Sequence, residues 1–316
     1  MAELRMAPGF SIGHASDPKL ASGVTVILAD GPATAGVVVQ GGAPGTRETD
    51  LLNPAKTVQE VDALVLSGGS AFGLDAASGA QGWLRKNDRG FPVGPHRVPI
   101  VPAAILFDLN PTASWDRYPP YRELGWEACA AAARADKGKA PALGSVGAGT
   151  GATTGTAKGG FGMASTQLPD GVVITAVVAV NAVGSTYVGS TRHFWAAPFE
   201  EEGEYGGRGY PHPWPLNATE FMLKGSRRQE NTTIGAILTN VALDQASCTQ
   251  LATMAHDGFA RAIYPAHTPF DGDLIFAASS GEVAASPNLP LLVLGALAGN
   301  TMARAIARGV YEAEQR

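Results

Sequence analysis

Residues 231–241 read NTTIGAILTNV. The run is β-branched and apolar with alternation, the pattern of a buried β-strand. What stands before it is different in kind. From about residue 192 to 228 the chain carries EEEGEYGG, YPHPWP and KGSRRQE, with charges, prolines and aromatics but no period. Such a stretch reads as a mobile surface loop, where a chain can be cut without disturbing a core. An irregular loop therefore runs straight into a buried strand at Asn231 and Thr232.

Outward from that junction the pattern stays regular on the C-terminal side. Residues 243–263 fit one amphipathic helix, with Asp244 as its N-terminal cap. DGDLIFAASS (271–280) fits another strand, and 288–313 ends in a helix. On the N-terminal side, residues 23–40 hold two β-branched runs joined by Gly-Pro, which predicts a hairpin. DALVLSGGSAFGLDAASGAQGWLRK (62–86) predicts a strand, a glycine turn and a helix rich in small residues. Residues 141–165 carry glycine too densely for a regular helix. GVVITAVVAVNAVGSTY (171–187) is the strongest strand signal, ending at Asn181 and Gly184. Strands alternating with helices on both sides of the loop point to a layered α/β architecture without internal repeats.

Composition narrows the function. With 316 residues and 45% of them hydrophobic, the chain can bury a large core. Only 16% are charged, which fits either surfaces covered by partner subunits or a core rich in Gly and Ala. A net charge of −5, with no basic run interleaved with aromatics, argues against nucleic acid and anionic membrane as main partners. The two cysteines, Cys129 and Cys248, have no ligand spacing and fit a reducing compartment. The start, MAELRMAPGFSIGH, lacks a signal-peptide core, and the apolar run near 290 falls short of the ~20 residues that span a bilayer. A cytoplasmic protein is expected.

The chemistry centres on Thr232. A threonine that begins a mature chain can attack a carbonyl with its own α-amine as base, since that amine titrates near ~8. Asn before Thr is a workable cut, because the hydroxyl can attack the Asn231 carbonyl and turn the amide into an ester. The plainer reading is a strand that merely opens with Asn-Thr-Thr. Lys158, in GTAKGGFG, has few competing partners around it and could share a proton with a nucleophile; otherwise it is a loop lysine in water. Asn181 interrupts an apolar strand, so its amide either donates to an oxyanion or is satisfied by backbone. Asp271 and Asp273 flank a glycine before an apolar strand; both carboxylates could face one site, or cap a turn. No histidine or third carboxylate joins them, so no metal and no cofactor are expected. The backbone amides of LSGGSAFGLDAA (66–77) could hold an anion, but no P-loop is present. The six histidines are scattered and none is expected to be catalytic.

These pieces, taken in order, resemble the DmpA-type aminopeptidases, and most of all their nylon-oligomer endohydrolase branch. LSGGSAFGL, GAGTGAT followed by AKGG, VVAVNAVG, NTTIGAILTN and the Asp-Gly-Asp of HTPFDGDLIFA carry the resemblance, over roughly residues 8–310. It implies an αββα sandwich of the N-terminal-nucleophile hydrolase type, in one domain over 1–316, cut by itself into 1–231 and 232–316. It implies Thr232 as nucleophile, Lys158 as its proton partner, Asn181 as an oxyanion or positioning donor, and Asp271 with Asp273 orienting the new α-amine. It further implies homo-oligomers, tetramers of cleaved chains. Two features depart from the aminopeptidase branch and match the nylon-oligomer one: a Thr at the cut, and Asp at both 271 and 273. Gly155 also stands where the aminopeptidase pattern has Tyr.

The expected activity is hydrolysis of linear amides, such as 6-aminohexanoate oligomers or peptides. Three other readings stand beside it. An exo-acting aminopeptidase on small or β-amino-acid peptides would not cut an amine-blocked substrate. An acyltransferase of the ornithine acetyltransferase type would pass the acyl group to an amine. A non-catalytic assembly protein would stay uncut.

Overall fold

The 231–241 stretch becomes a central strand for the reason its pattern gives: every residue from Ile234 to Val241 is buried, with alternate side chains going to opposite faces. The computed structural model describes residues 4–224, 231–286 and 289–315. In chain order the elements are β1 (Phe10–Asp17), β2 (Ser22–Val39), β3 (Gly45–Arg47), β4 (Glu60–Ser67), α1 (Ala76–Lys86), β5 (Phe91–Val93), β6 (His96–Val98), β7 (Ala103–Ile105), α2 (Tyr121–Arg134), β8 (Gly160–Gln167), β9 (Val173–Val180), β10 (Ile234–Val241), α3 (Gln245–Ala255), α4 (Asp257–Ala262), β11 (Leu274–Val283) and α5 (Leu291–Glu314). The main sheet runs β3-β7-β4-β2-β11-β10-β9-β8, with β1 added beside β2.

This one ladder is folded into two layers, and β2 is the strand that both share. Its first part, Val24 to Leu28, pairs with β4 and its last part, Thr34 to Val39, with β11. Ile27, Leu64 and Leu66 meet Phe161, Met163, Val177, Ile234, Leu238 and Phe276 in the apolar interior between the layers. Outside one layer α1 and α2 cover Val24, Val26, Ala63 and Val65. Outside the other, α3, α4 and α5 cover Ile174, Val178, Ile237 and Ile275. Helix, sheet, sheet, helix is the αββα sandwich expected.

Four expectations are corrected. Residues 23–40 form no hairpin: β2 is a single strand of 18 residues that passes through Gly31-Pro32 with a slip in register between Leu28 and Ala33. The slip lies where β2 changes from one layer to the other, so the Gly-Pro pair bends a strand instead of reversing it. Residues 243–263 make two helices, α3 and α4, that divide at His256, although Asp244 caps α3 as expected by accepting from Ser247 N at 2.7 Å. Asp271 and Asp273 precede β11 instead of lying in it. The irregular stretch after β9 is packed at its start, where Phe194 lies tilted on Tyr187 and edge-on to Tyr205 with all three buried, and exposed further on, at Tyr210, Trp214, Leu216 and Phe221. Residues 225–230 of the stretch before the proposed cut lie outside the described residues, as does residue 288 of the expected terminal helix. No helix among the described residues is long and apolar enough to cross a membrane.

Candidate active site

The site forms where β9 and β10 run out and the loop before β11 comes alongside. β9 and β10 are antiparallel with Ile234 opposite Ala179, and the pairing extends one step further, with Thr232 N donating to Asn181 O at 2.9 Å. On the other side, Asn231 bridges in parallel to Asp271. Thr232 is thus clamped between two backbone segments and only 2% exposed.

Its hydroxyl meets the bond that precedes it. Thr232 Oγ1 lies 2.5 Å from Asn231 O. Gly272 N donates both to that carbonyl, at 2.9 Å, and to Thr232 Oγ1, at 3.2 Å. Residue 272 has to be glycine here: a Cβ would come within 2.5 Å of Ala43 O and 2.7 Å of Thr232 Oγ1. The Asp-Gly-Asp spacing follows, with a backbone N–H aimed at the bond and a carboxylate on each side of it.

The two carboxylates have different duties. Asp273 Oδ1 accepts from Thr233 N at 2.8 Å, and its Oδ2 accepts from His267 N at 3.0 Å and meets His267 Nδ1 at 2.9 Å. It fixes the residue after Thr232. Asp271 Oδ2 accepts from Thr268 N and Oγ1 at 3.1 and 2.6 Å, and Oδ1 from Val183 N at 3.2 Å. Burial, and then the charge of Asp273, push the Asp271 carboxyl up to about 6. The Thr232 nitrogen is held by Asn181 O, and neither carboxylate bonds it directly.

Asn181 is a satisfied hub. Its Oδ1 accepts from Thr153 N at 3.0 Å and from Lys224 Nζ at 2.9 Å, and its Nδ2 donates to Phe107 O at 2.9 Å. One Nδ2 proton is thus spent on a backbone carbonyl, and Oδ1 is shared between a backbone amide and the Lys224 ammonium. Lys158 is not brought into this network. It is exposed, its backbone bridges to Thr153, and its ammonium has no partner among the described residues. Lys224 holds Asn181 in its place. Burial brings that ammonium down to about 8, against the upward pull of Asp108 and Asp271.

Asp108 and Lys224 share a cavity of about 230 Å³ with Phe107 and Thr153. Burial pushes the Asp108 carboxyl up to about 6, although Gly69 N donates to its Oδ1 at 2.6 Å. The glycine turn of LSGGSAFGL therefore does bind an anion, and the anion is the protein's own. Sequence reasoning missed Lys224, Asp108 and His267. Asp108 ends an apolar run, ILFDLN, as Asn181 does in its own strand, and that signal was there to be read. Lys224 and His267 sit in irregular stretches without any local signal.

The sequence profile of peptidase family S58 matches residues 7–316. An uncharacterized aminopeptidase of Mycobacterium tuberculosis (strain ATCC 25618 / H37Rv) is 43% identical, covering 98% of this chain and 90% of that protein. A 6-aminohexanoate-oligomer endohydrolase of Kocuria sp. (strain KY2) is 32% identical, covering 87% of this chain and 74% of that protein. In fold, the chain is similar to a Burkholderia sp. beta-aminopeptidase, with a TM-score of 0.66 at 20% identity over 96% of this chain and 84% of that one. It is also similar to the L-aminopeptidase D-Ala-esterase/amidase of Ochrobactrum anthropi, an Ntn-hydrolase-fold variant, with a TM-score of 0.63 at 18% identity over the same shares. The sandwich is an Ntn-hydrolase fold, and the chain belongs to peptidase family S58, the DmpA-type aminopeptidases, as a hydrolase of peptide or amide bonds.

Proposed function

We propose that the chain cuts itself between Asn231 and Thr232, and that the freed Thr232 then hydrolyses amides through an acyl-enzyme. The observation that carries this reading is the position of Thr232 Oγ1, 2.5 Å from Asn231 O, with Gly272 N donating to the same carbonyl at 2.9 Å. The hydroxyl attacks the Asn231 carbonyl carbon, and the developing oxyanion keeps the Gly272 N–H. The C–N bond breaks, the nitrogen takes the proton, and an ester joins Asn231 to the threonine oxygen. Water hydrolyses the ester, leaving an Asn231 carboxylate and a Thr232 with free amine and hydroxyl. For each substrate that amine accepts the hydroxyl proton while the oxygen attacks the amide carbonyl; the C–N bond breaks as the proton passes to the leaving amine, and water then hydrolyses the acyl ester to the acid and the free hydroxyl.

Asn181 O steadies the amine, Asp273 fixes Thr233, and Asp271 sets the charge beside them. Lys158 is the proposed proton partner of the matured enzyme. Replacing it with alanine would then lower turnover by about a hundredfold or more; full activity in Lys158→Ala would return it to a solvated loop lysine. The proposed substrates are linear amides of the kind that the 6-aminohexanoate-oligomer relatives are named for. Low surface charge supports a homo-oligomer of cut chains.

Intact-mass spectrometry of the parent beside Thr232→Ala tests the nucleophile. Fragments 1–231 and 232–316 in the parent, and one chain in the variant, are expected; a single inert chain in both refutes the reading. An amine-blocked linear amide then separates internal cutting from strict aminopeptidase action, which would leave it intact.

A further inference from the structure

Residues 221–224 stand just upstream of the proposed cut. They belong to no helix or strand, yet each anchor is specific. Phe221 stacks on Tyr264, with ring centroids 5.7 Å apart and planes at 27°. The Met222 carbonyl lies against Gly155, where a Cβ would approach it to 1.9 Å. Lys224 N donates to Val183 O at 3.0 Å, and Lys224 Nζ to Asn181 Oδ1 at 2.9 Å. The same lysine forms one wall of the cavity of about 230 Å³, together with Phe107, Asp108 and Thr153.

Taking an ammonium out of water is unfavourable unless acceptors and opposite charge replace the water. Here one amide oxygen accepts the proton, and the carboxylates Asp108 and Asp271 act on the charge. A cavity that receives a cation at the end of a flexible methylene chain suits more than this one lysine. Asn181, which bonds the lysine, also bonds Thr232 through its carbonyl, so the cavity and the nucleophile share one residue.

We infer that residues 221–224 are an internal occupant of a substrate subsite, with the Lys224 arm standing in for the ω-aminoalkyl chain of a linear substrate until the chain is cut. The inference rests on the Thr232 reading. In the uncut chain the segment is tethered on both sides of its seat. Once Asn231 is a free carboxylate, the segment keeps a continuous covalent tether on its upstream side alone, and the local concentration that favours the occupant falls. Self-cleavage would then create the nucleophile and open its subsite in one step.

Native digestion with a lysine-specific protease tests this, after intact mass has established which chains are cut. The bond after Lys224 should be hydrolysed at least about tenfold more slowly in uncut Thr232→Ala than in the matured parent. In uncut Thr232→Ala, adding Lys224→Ala, or Phe221→Ala should the first not fold, should tighten n-pentylammonium binding at least severalfold in calorimetric titration. In the matured parent, n-pentylammonium should inhibit competitively. A parent that stays one chain, seen in the mass before protease is added, overturns the nucleophile reading and the release with it. A parent that is cut yet loses the Lys224 bond no faster than Thr232→Ala overturns the occupant alone, as does n-pentylammonium binding that is unchanged when Lys224→Ala is added to uncut Thr232→Ala.

Discussion

Asp108 shows how a buried carboxylate makes the molecule sensitive to pH. Burial lifts its carboxyl from 3.8 to about 6, and the Gly69 N–H, Ser22 and the Lys224 charge do not offset that rise. The folded chain therefore holds this proton more tightly than the unfolded chain does. The stability it contributes is complete below about pH 4 and is lost as pH rises through about 6. Asp271 has the same sign, from burial and from the neighbouring Asp273. Asparagine resembles the protonated form and can still accept from Gly69 N. Asp108→Asn is thus expected to melt close to the parent at pH 4 and above it at pH 7.5. Thermal unfolding at the two pH values checks this, and a variant less stable than the parent at pH 7.5 would refute it.

Among the elements, α5 shows what holds the two sides of the proposed cut together. Arg304 on this helix is 2% exposed and pairs with Glu204, which is equally buried, through Nε and Nη2, the latter at 3.1 Å. Arg308, one turn on, reaches the same carboxylate at 3.3 Å. Glu204 lies upstream of Asn231 and α5 downstream, so the pair ties the two sides of the proposed cut together. Glu204→Ala strands two guanidinium groups in the core and is expected to cost about 3–5 kcal/mol, read from denaturant midpoints. A loss under about 1 kcal/mol would show that Glu201, 2.9 Å from Arg304, takes over. These ties also show what a sequence can and cannot reveal. β9, β10 and α5 were legible because burial on nearly every side makes each a long, largely apolar run. Thr232, Asn181, Asp271 and Asp273 stood out as polar groups that interrupt or open apolar strands. β2 was misread because Gly31-Pro32 looks like a turn until its two halves find different partners. Lys224 was invisible because its seat is made by Asn181, Asp108 and Val183, all distant in sequence.

Across the whole molecule, the position of the proposed cut matters more than its chemistry for what would follow it. Of the strands downstream of Thr232, β10 lies beside β9, and β11 beside β2, so β9 and β2 from upstream enclose them within the ladder. The apolar interior between the layers takes Phe161 and Val177 from one side of the cut and Ile234 and Phe276 from the other. Separating the fragments would break two antiparallel ladders and open both that interior and the core under α3, α4 and α5. Breaking one peptide bond at the end of a loop removes none of these contacts. It does change the unfolded state, which becomes two independent chains. The melting temperature of the cut protein should therefore rise with concentration more steeply than that of Thr232→Ala, and assembly of whole copies would add the same slope to both. In native size-exclusion chromatography the two masses should leave the column in one peak and part only in denaturant. Elution of 232–316 by itself under native conditions would mean that the shared sheet does not hold the cut molecule together.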